Sequence, residues 1–291
     1  MKKILLLLFV TTFSFAQEFQ GKAYYFSKTI LNGKLQVEDP GVKKGMDPAM
    51  EKAFQEALKK ASEKNYLLTF NKSECIYEQE QQLEKPKSAA GEMSISVSFS
   101  SSEGKKYINA KDKTSSTEDE IFGKEFLIVE PIEKPNWELV DESKKIGDYT
   151  CFKAKLLIPV SEKQKKEYEE FLKKEEIKPS LFKMEEPKDK TITAWYTPEI
   201  PVSFGPNNYL GLPGLILEIN EPELIILCSK VVLNTKGASI KVPNKGQKVT
   251  QKEFDAIQKK KYDSMKNEDG VIIFKTTYRT YAYHEIISNY S

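Results

Sequence analysis

The residues best suited to acid–base or metal chemistry are few. His284 is the single histidine of the chain, and Glu285 follows it. A multi-histidine metal site and an H-E-x-x-H protease site are excluded, because each needs at least two imidazoles. A serine triad could use only His284 as its base, and no G-x-S-x-G element accompanies it. We interpret His284 as a histidine at the edge of a terminal strand.

Three cysteines could carry redox or metal chemistry: Cys75, Cys151 and Cys228. They form no C-x-x-C pair and lack the ligand spacing of a zinc site. Each lies in a strand-like stretch, where a free cysteine acts as a small buried hydrophobe. At most one internal disulfide can form among three thiols, and the sequence does not decide which two would pair.

Acidic runs offer a third kind of chemistry, in the segments STEDE, VDES and KMEEP. A glycosidase would need two carboxylates facing each other about 5–10 Å apart, and such runs are more typical of a solvated surface. No G-x-G-x-x-G turn and no P-loop is present to hold a nucleotide. The sequence therefore predicts no catalytic residue, no metal site and no cofactor, and it favours a non-enzymatic role without excluding an enzyme.

The charge balance argues against a nucleic-acid partner. The 291 residues include 45 Lys and Arg against 43 Asp and Glu, and Lys2 and Lys3 account for the excess. Arg279 is the only arginine, whereas bidentate recognition of phosphate and bases depends on arginine. The many lysines suit a solvated surface.

The first sixteen residues have the pattern of a secretory signal peptide. Lys2 and Lys3 precede an apolar run at 4–10, and Ser14 and Ala16 place small residues at the positions that a signal peptidase reads. The run is far shorter than the ~20 residues of a spanning helix. We expect export to the periplasm or outer membrane, with cleavage after Ala16 and no transmembrane segment in the mature chain.

The remainder, 17–291, reads as a single sheet-rich domain of the α+β class. Short β-favouring segments separated by turns recur along the chain, with a turn near Gly147, and the clearest alternation is MSISVSFS at 93–100. The segment at 271–286 is predicted to close the chain as a strand. Helices are predicted near 47–64, 161–176 and 250–266, the last two from the capping boxes Ser161–Gln164 and Thr250–Glu253. We expect a dominant curved antiparallel sheet with the helices inserted between its strands.

One loop stands apart, because it combines three prolines with aromatic residues. It runs from Pro198 through Pro206 to the string Gly211, Leu212, Pro213, Gly214, Leu215 and Ile216. Leu212 to Leu215 fits a type II turn, in which Gly214 would supply a positive φ. The strand that follows should then place Leu215, Leu217 and Ile219 on one face.

The string GLPGLI, with AWYTPEIPVSFGPNNY before it, resembles the GLPGLI family of exported Gram-negative proteins. The resemblance extends from the strand at Tyr149 to about Ile226. It implies no activity, since the family is one of unknown function. The order of its strands is similar to the curved half-barrels of periplasmic lipoprotein carriers, and that likeness is one of pattern only.

Four aromatic residues of this region form a candidate binding rim: Trp195, Tyr196, Phe204 and Tyr209. Stiff aromatic surfaces lose little entropy on binding. Alternation along the strand places Trp195 and Tyr196 on opposite faces, with Tyr196 directed inward beside Ile192 and Ala194. A motif that only makes a tight turn and plugs one end of the sheet explains the same residues.

Two non-enzymatic functions follow as hypotheses. The first is a periplasmic binding or carrier module that holds an apolar ligand or peptide. The second is a protein partner or accessory of outer-membrane transport or secretion machinery. A deep apolar cavity would favour the carrier, whereas a filled sheet with an exposed edge or patch would favour the partner.

The signal peptide generates a direct prediction. The exported protein should begin at Gln17, because Ala16 is the small residue correctly placed behind the apolar run. Mass spectrometry of the protein recovered from the envelope measures this end, and an intact Met1 there would contradict the prediction.

Overall fold

The computed structural model describes residues 19–30, 48–80, 104–177, 186–234 and 240–264. Within them lie twelve strands and three helices. The first strands are β1 Gln20–Thr29, β2 Glu63–Asn71, β3 Glu74–Gln79, β4 Lys106–Asn109, β5 Thr114–Ile121 and β6 Lys124–Pro131. The others are β7 Glu138–Ile146, β8 Tyr149–Ile158, β9 Lys190–Thr197, β10 Leu215–Glu221, β11 Leu224–Leu233 and β12 Gln247–Val249. The helices are α1 Pro48–Ser62, α2 Glu162–Ile177 and α3 Gln251–Asp263.

All twelve strands belong to one open sheet, in the order β12-β6-β5-β4-β3-β2-β1-β11-β10-β9-β8-β7. Neighbouring strands are antiparallel, except that β12 runs parallel to β6. β1 lies near the middle of this order, where it pairs with β2 on one side and β11 on the other. The predicted α+β class with a dominant antiparallel sheet is confirmed.

The three predicted helices are found at the predicted places. Ser161 Oγ accepts a hydrogen bond from the Gln164 backbone at 3.2 Å, and the Gln164 side chain caps Ser161 N in return at 2.9 Å. Thr250 and Glu253 form the same reciprocal pair at the start of α3. β8 and β9 pair directly along most of their length. The charged helix α2 is therefore an insertion between two neighbouring strands, as its sequence predicts.

The side chains of the central strands separate into two faces with opposite burial. On one face, cross-strand partners form a row of buried residues: Ser27, Ile226, Ile219, Ala194 and Ala154. The adjacent row points the other way and is exposed or half-buried: Phe26, Leu227, Glu218, Trp195 and Lys153. We call these the core face and the open face, and their alternation follows from the pleat of the strands.

Curvature of the sheet is visible in a contact that crosses several strands. Lys144 of β7 pairs with Glu218 of β10 at 2.7 Å, although β8 and β9 lie between them. In a flat sheet the two backbones would be about 14 Å apart at the usual strand spacing. Side chains standing perpendicular to a flat sheet would not meet over that distance, so the sheet bends at β7–β10.

Two hydrophobic clusters pack against the sheet. The larger gathers residues of the central strands and of the loop between β9 and β10, among them Tyr25, Phe70 and Ile219. The smaller lies under α3, where the rings of Phe126 and Phe254 meet edge to face at 5.5 Å. β12 joins this second cluster through Val249, and a strand of only three residues is too short to be predicted from sequence periodicity.

Several predictions lie outside the described residues. These are the signal peptide, the alternating strand at 93–100, and the final strand at 271–286 with His284. Among the helices that are described, none is long and apolar enough to cross a bilayer. The turn at Gly147 is confirmed, with φ of 57° between β7 and β8.

All three cysteines are free and buried, as expected of small hydrophobes. Burial raises the pKa of Cys151 to about 11 and that of Cys228 to about 12, and it raises the pKa of Cys75 further. Since the thiolate is the reactive form, these side chains are protected both by burial and because their raised pKa values keep them protonated near neutral pH.

We therefore expect the folded protein to resist iodoacetamide near neutral pH at Cys75, Cys151 and Cys228, and to react at all three once unfolded in guanidinium. Peptide mass mapping before and after unfolding measures this. Alkylation of any of them in the folded state at the rate of a free thiol would contradict the burial described here.

Candidate functional site

The loop at 198–214, between β9 and β10, packs into the sheet rather than projecting from it. Its backbone is tied to the start of β10, where Leu215 N and Ile216 N donate to Ile200 O and Phe204 O, each at 3.0 Å. Five apolar side chains of the loop belong to the larger hydrophobic cluster: Ile200, Val202, Phe204, Leu210 and Leu212. The loop thus contributes a layer of the core.

The GLPGLI residues differ in burial and in backbone conformation. Leu212, Leu215 and Ile216 are buried in the cluster, and Pro213 is exposed. Gly211 has φ of 96° and lies against Lys134, Pro135 and Trp137. Gly214 lies against the backbone of β9.

The assignment of a positive φ to Gly214 was wrong. Gly211 takes the left-handed conformation, whereas Gly214 does not. The reason for a glycine at 214 is space: a Cβ there would lie 2.2 Å from Thr197 O and 2.5 Å from Thr197 C. The Gly214 amide donates to Leu212 O at 2.9 Å, so the chain turns at Pro213 more tightly than in a type II turn.

Strict alternation also fails at the start of β10. A bulge lies between Ile216 and Glu218, opposite Tyr196 and Trp195 of β9. Leu215, Ile216 and Leu217 are consequently all buried, instead of Leu215 and Leu217 alone. Before β10 begins its pairing with β11 at Glu218, the Tyr25 hydroxyl donates to Ile216 O at 2.7 Å.

The four rim aromatics do not share one surface. Tyr196 and Phe204 are core residues, with 6% and 1% of their surface exposed. Trp195 lies half-buried on the open face, with Lys144 Nζ 4.3 Å and Lys153 Nζ 5.8 Å from its ring centroid. Tyr209 is half-buried at the loop and donates to Glu221 Oε1 at 2.8 Å. Trp195 and Tyr196 do point to opposite faces, and Tyr196 is the one directed inward.

Trp137, which sequence reasoning did not single out, anchors the loop from outside. Its indole Nε1 donates to Leu210 O at 2.9 Å, and its ring lies 6.1 Å from that of Tyr209. The burial of Tyr209 and its bond to Glu221 raise the pKa of its phenol, so the hydroxyl stays a donor. The sequence feature that could have identified Trp137 is a tryptophan two residues after Pro135 at the start of a charged strand.

At its tip the loop reaches the other half of the sheet. Lys106 Nζ of β4 donates a hydrogen bond to the Asn207 side chain, a contact between residues 101 positions apart. Asn207 has φ of 56°, a left-handed conformation that asparagine tolerates better than most residues. The loop therefore connects β10 with the core face of β4.

Comparison with known proteins agrees with the motif. A model of a family described as a protein of unknown function (Porph_ging) matches residues 137–218, which run from β7 into β10 and include the whole motif. The predicted resemblance to the GLPGLI family is thereby confirmed, and the family is one of exported proteins. None of the curated proteins matches the chain.

Solved structures similar to this one share little sequence with it. Two structures of PNGF-II, in space groups C2 and P21, align with TM-scores of 0.45 at 13% and 14% identity over 84% of the chain. The chain covers 33% and 34% of their length, about one third of PNGF-II. LprF from Mycobacterium bovis aligns with a TM-score of 0.26 at 9% identity, over 78% of this chain and 90% of that one.

The close approach at Gly214 generates a testable difference between the two glycines. Gly214→Ala should lower the free energy of unfolding by about 3 kcal/mol, because its Cβ meets a backbone carbonyl that cannot move aside. Gly211→Ala should cost about 1–2 kcal/mol from strain alone, since the nearest atom to its Cβ lies at 3.8 Å.

Urea unfolding of both variants measures the difference. Gly123→Ala is the matched control, because Gly123 has φ of 81° and no atom within 4 Å of an added Cβ. If Gly214→Ala were no less stable than Gly123→Ala, the packing of the loop against β9 would be wrong.

Proposed function

We propose that this exported protein binds a protein or peptide partner in the cell envelope, through the open face of its sheet. The observation that carries the proposal is that the loop at 198–214 fills the core face over the central strands. In the described part of the chain, loop side chains occupy the surface on which a carrier would hold an apolar ligand. The hypothesis of a partner for envelope machinery is therefore preferred to that of an apolar-ligand carrier, and the remaining question is where the partner would bind.

The open face offers an apolar patch at its centre. Phe26 and Leu227 are cross-strand partners on β1 and β11, and Ile225 is the next residue of β11 on the same face. These three side chains retain 37%, 39% and 36% of their surface exposed. Contiguous exposed apolar side chains on a monomer are typical of a protein contact, whereas isolated ones are not.

Polar residues surround this patch in the arrangement of an interface rim. Lys28 pairs with Glu63 at 3.6 Å, Lys144 with Glu218 at 2.7 Å, and Lys153 with Glu142 at 2.8 Å. Each lysine thus already has a carboxylate near it, so the rim is close to neutral. A neutral rim around an apolar centre matches a protein surface of similar composition better than a strongly acidic polymer.

Trp195 lies on the same face in the row that contains Leu227, on the far side of Glu218. The ammonium groups of Lys144 and Lys153 lie 4.3 Å and 5.8 Å from its ring centroid and hold its orientation by cation–π attraction. A tryptophan fixed in this way loses little entropy when a partner covers it. Of the four predicted rim residues, Trp195 is the one that we retain in the proposed surface.

Site-specific photocrosslinking in the exporting bacterium tests the proposal. A benzophenone amino acid placed at Phe26 or at Leu227 should give the same discrete protein adduct from both positions. Phe122, which is 47% exposed in the turn between β5 and β6, is the control position and should not give that adduct. The double change Phe26→Ser with Leu227→Ser should abolish the adduct that the same amino acid forms when placed at Trp195, in a protein that still unfolds cooperatively. Some lowering of the melting temperature is expected, because the two side chains are only 37% and 39% exposed.

The outcomes separate the two hypotheses. An adduct of twice the chain mass identifies a second copy as the partner. Adducts with lipid alone from Phe26 and Leu227, or the same products from Phe122 as from the patch, would count against the proposal and return the carrier hypothesis to consideration.

A further inference from the structure

Between the two hydrophobic clusters, the side chains of the core face become polar and half-buried. One register row runs across the sheet through Leu68, Tyr77, Lys106, Thr117 and Ile128. Its ends are buried in the larger and the smaller cluster, whereas Lys106 and Thr117 in the middle are half-buried and polar. Neither cluster covers this interval.

A parallel row two residues further along repeats the pattern. Tyr66 lies opposite Gln79 on one side, and Asp119 lies opposite the buried Phe126 on the other. Gln79 and Asp119 therefore share the face of Lys106 and border the same interval. We call the group formed by Gln79, Lys106, Thr117 and Asp119 the polar interval, and Asn207 of the motif loop reaches it through its hydrogen bond from Lys106.

Gln79 has an unmet hydrogen-bonding requirement. Its Oε1 atom is buried and accepts no hydrogen bond from the residues that the structure describes. Leaving an acceptor in this state costs about 1–3 kcal/mol, so the native fold would be more stable with an apolar side chain there. A buried acceptor that faces other polar groups is matched by a ligand that carries a donor.

The two ionisable groups of the interval influence each other. Burial lowers the pKa of Lys106 while the carboxylate of Asp119 opposes that shift. Burial raises the pKa of Asp119 while Lys106 opposes it in turn. As a pair of opposite charges they neutralise each other, and a charged ligand would leave one of them without its counter-charge.

An aromatic wall borders the same interval. The rings of Tyr66 and Tyr77 stack at 4.8 Å with an angle of 10° between their planes, and Tyr66 is half-buried. A flat apolar wall beside several hydrogen-bonding groups suits a ligand that has an apolar face and polar edges.

We propose that the polar interval is a binding site for an uncharged, hydroxyl-rich ligand, namely a saccharide unit. Hydroxyl groups donate to Gln79 Oε1 and accept from the Lys106 ammonium, next to the stacked rings of Tyr66 and Tyr77. A free saccharide and one attached to a lipid present the same hydroxyls. The site lies on the core face, and it does not depend on the partner surface proposed for the open face.

Protection of a single lysine from acetylation tests this site. The wild-type protein is treated with an N-hydroxysuccinimide acetate in the presence of maltose, N-acetylglucosamine or micelles of the neutral glycolipid dodecyl maltoside. We expect at least one of these to slow acetylation of Lys106 several-fold. Lys105 serves as the internal control, because it lies on the opposite face and pairs with Glu78 at 3.2 Å. Gluconate and glucose 6-phosphate, as charged counterparts, should protect less.

The variant Gln79→Leu distinguishes a ligand site from a packing defect. It should weaken the protection of Lys106 about tenfold by removing one hydrogen bond to the ligand, while melting at the same temperature as the wild type or higher. Glu78→Leu, on the other face of the same strand, should leave the protection unchanged.

Protection by dodecyl maltoside alone would support the site and identify the saccharide as lipid-borne. The proposal is overturned if none of the three saccharide probes protects Lys106, if the charged compounds protect it better, or if Gln79→Leu retains full protection.

Discussion

The fold around the motif depends on two places where the backbone meets another part of the chain without room for a side chain. At Gly214 an added Cβ would lie 2.2 Å from Thr197 O, and at Gly205 it would lie 2.7 Å from the Cβ of Ile216. These approaches let the loop at 198–214 lie flat along the start of β10. The hydrogen bonds to Leu215 and Ile216 and the burial of the five loop side chains follow from that position. The function proposed here follows as well, because a loop packed in this way fills the core face over the central strands and leaves the open face there for contact.

Much of the fold could be predicted because its signals are local. The capping boxes at Ser161 and Thr250 use residues three positions apart, so the helix starts can be read directly from the sequence. Period-two alternation and turn residues identified the strands from β1 to β11. The pairing of β1 with β11 was beyond such reasoning, because it joins segments about 200 residues apart and no short-range pattern selects one distant strand over another. β12 is three residues long and parallel, too short for any periodicity to appear.

The candidate site was harder to predict, because its residues are defined by what lies against them. The dipeptide Pro213-Gly214 is typical of a type II turn, yet the left-handed residue is Gly211, whose neighbours Lys134, Pro135 and Trp137 come from a distant part of the chain. For the same reason, prolines and aromatics at 198–209 predicted a stiff exposed rim, whereas Phe204 is core. Proline limits the freedom of a loop, but it does not say whether the loop projects into water or folds back on the sheet.

Two features remain that folding alone does not require. Phe26 and Leu227 expose apolar surface on the two central strands, where polar residues would serve solubility better. Gln79 and Lys106 place polar groups on the core face, where apolar residues would close the gap between the two hydrophobic clusters. The first feature lowers solubility, and the second leaves Gln79 Oε1 without a hydrogen-bond donor in the described part of the chain. Local departures of this kind are expected where a sequence serves binding. Because one departure lies on each face and each involves a different chemistry, the two proposed contact surfaces are separate, and the buried loop packs on the same face as the polar one.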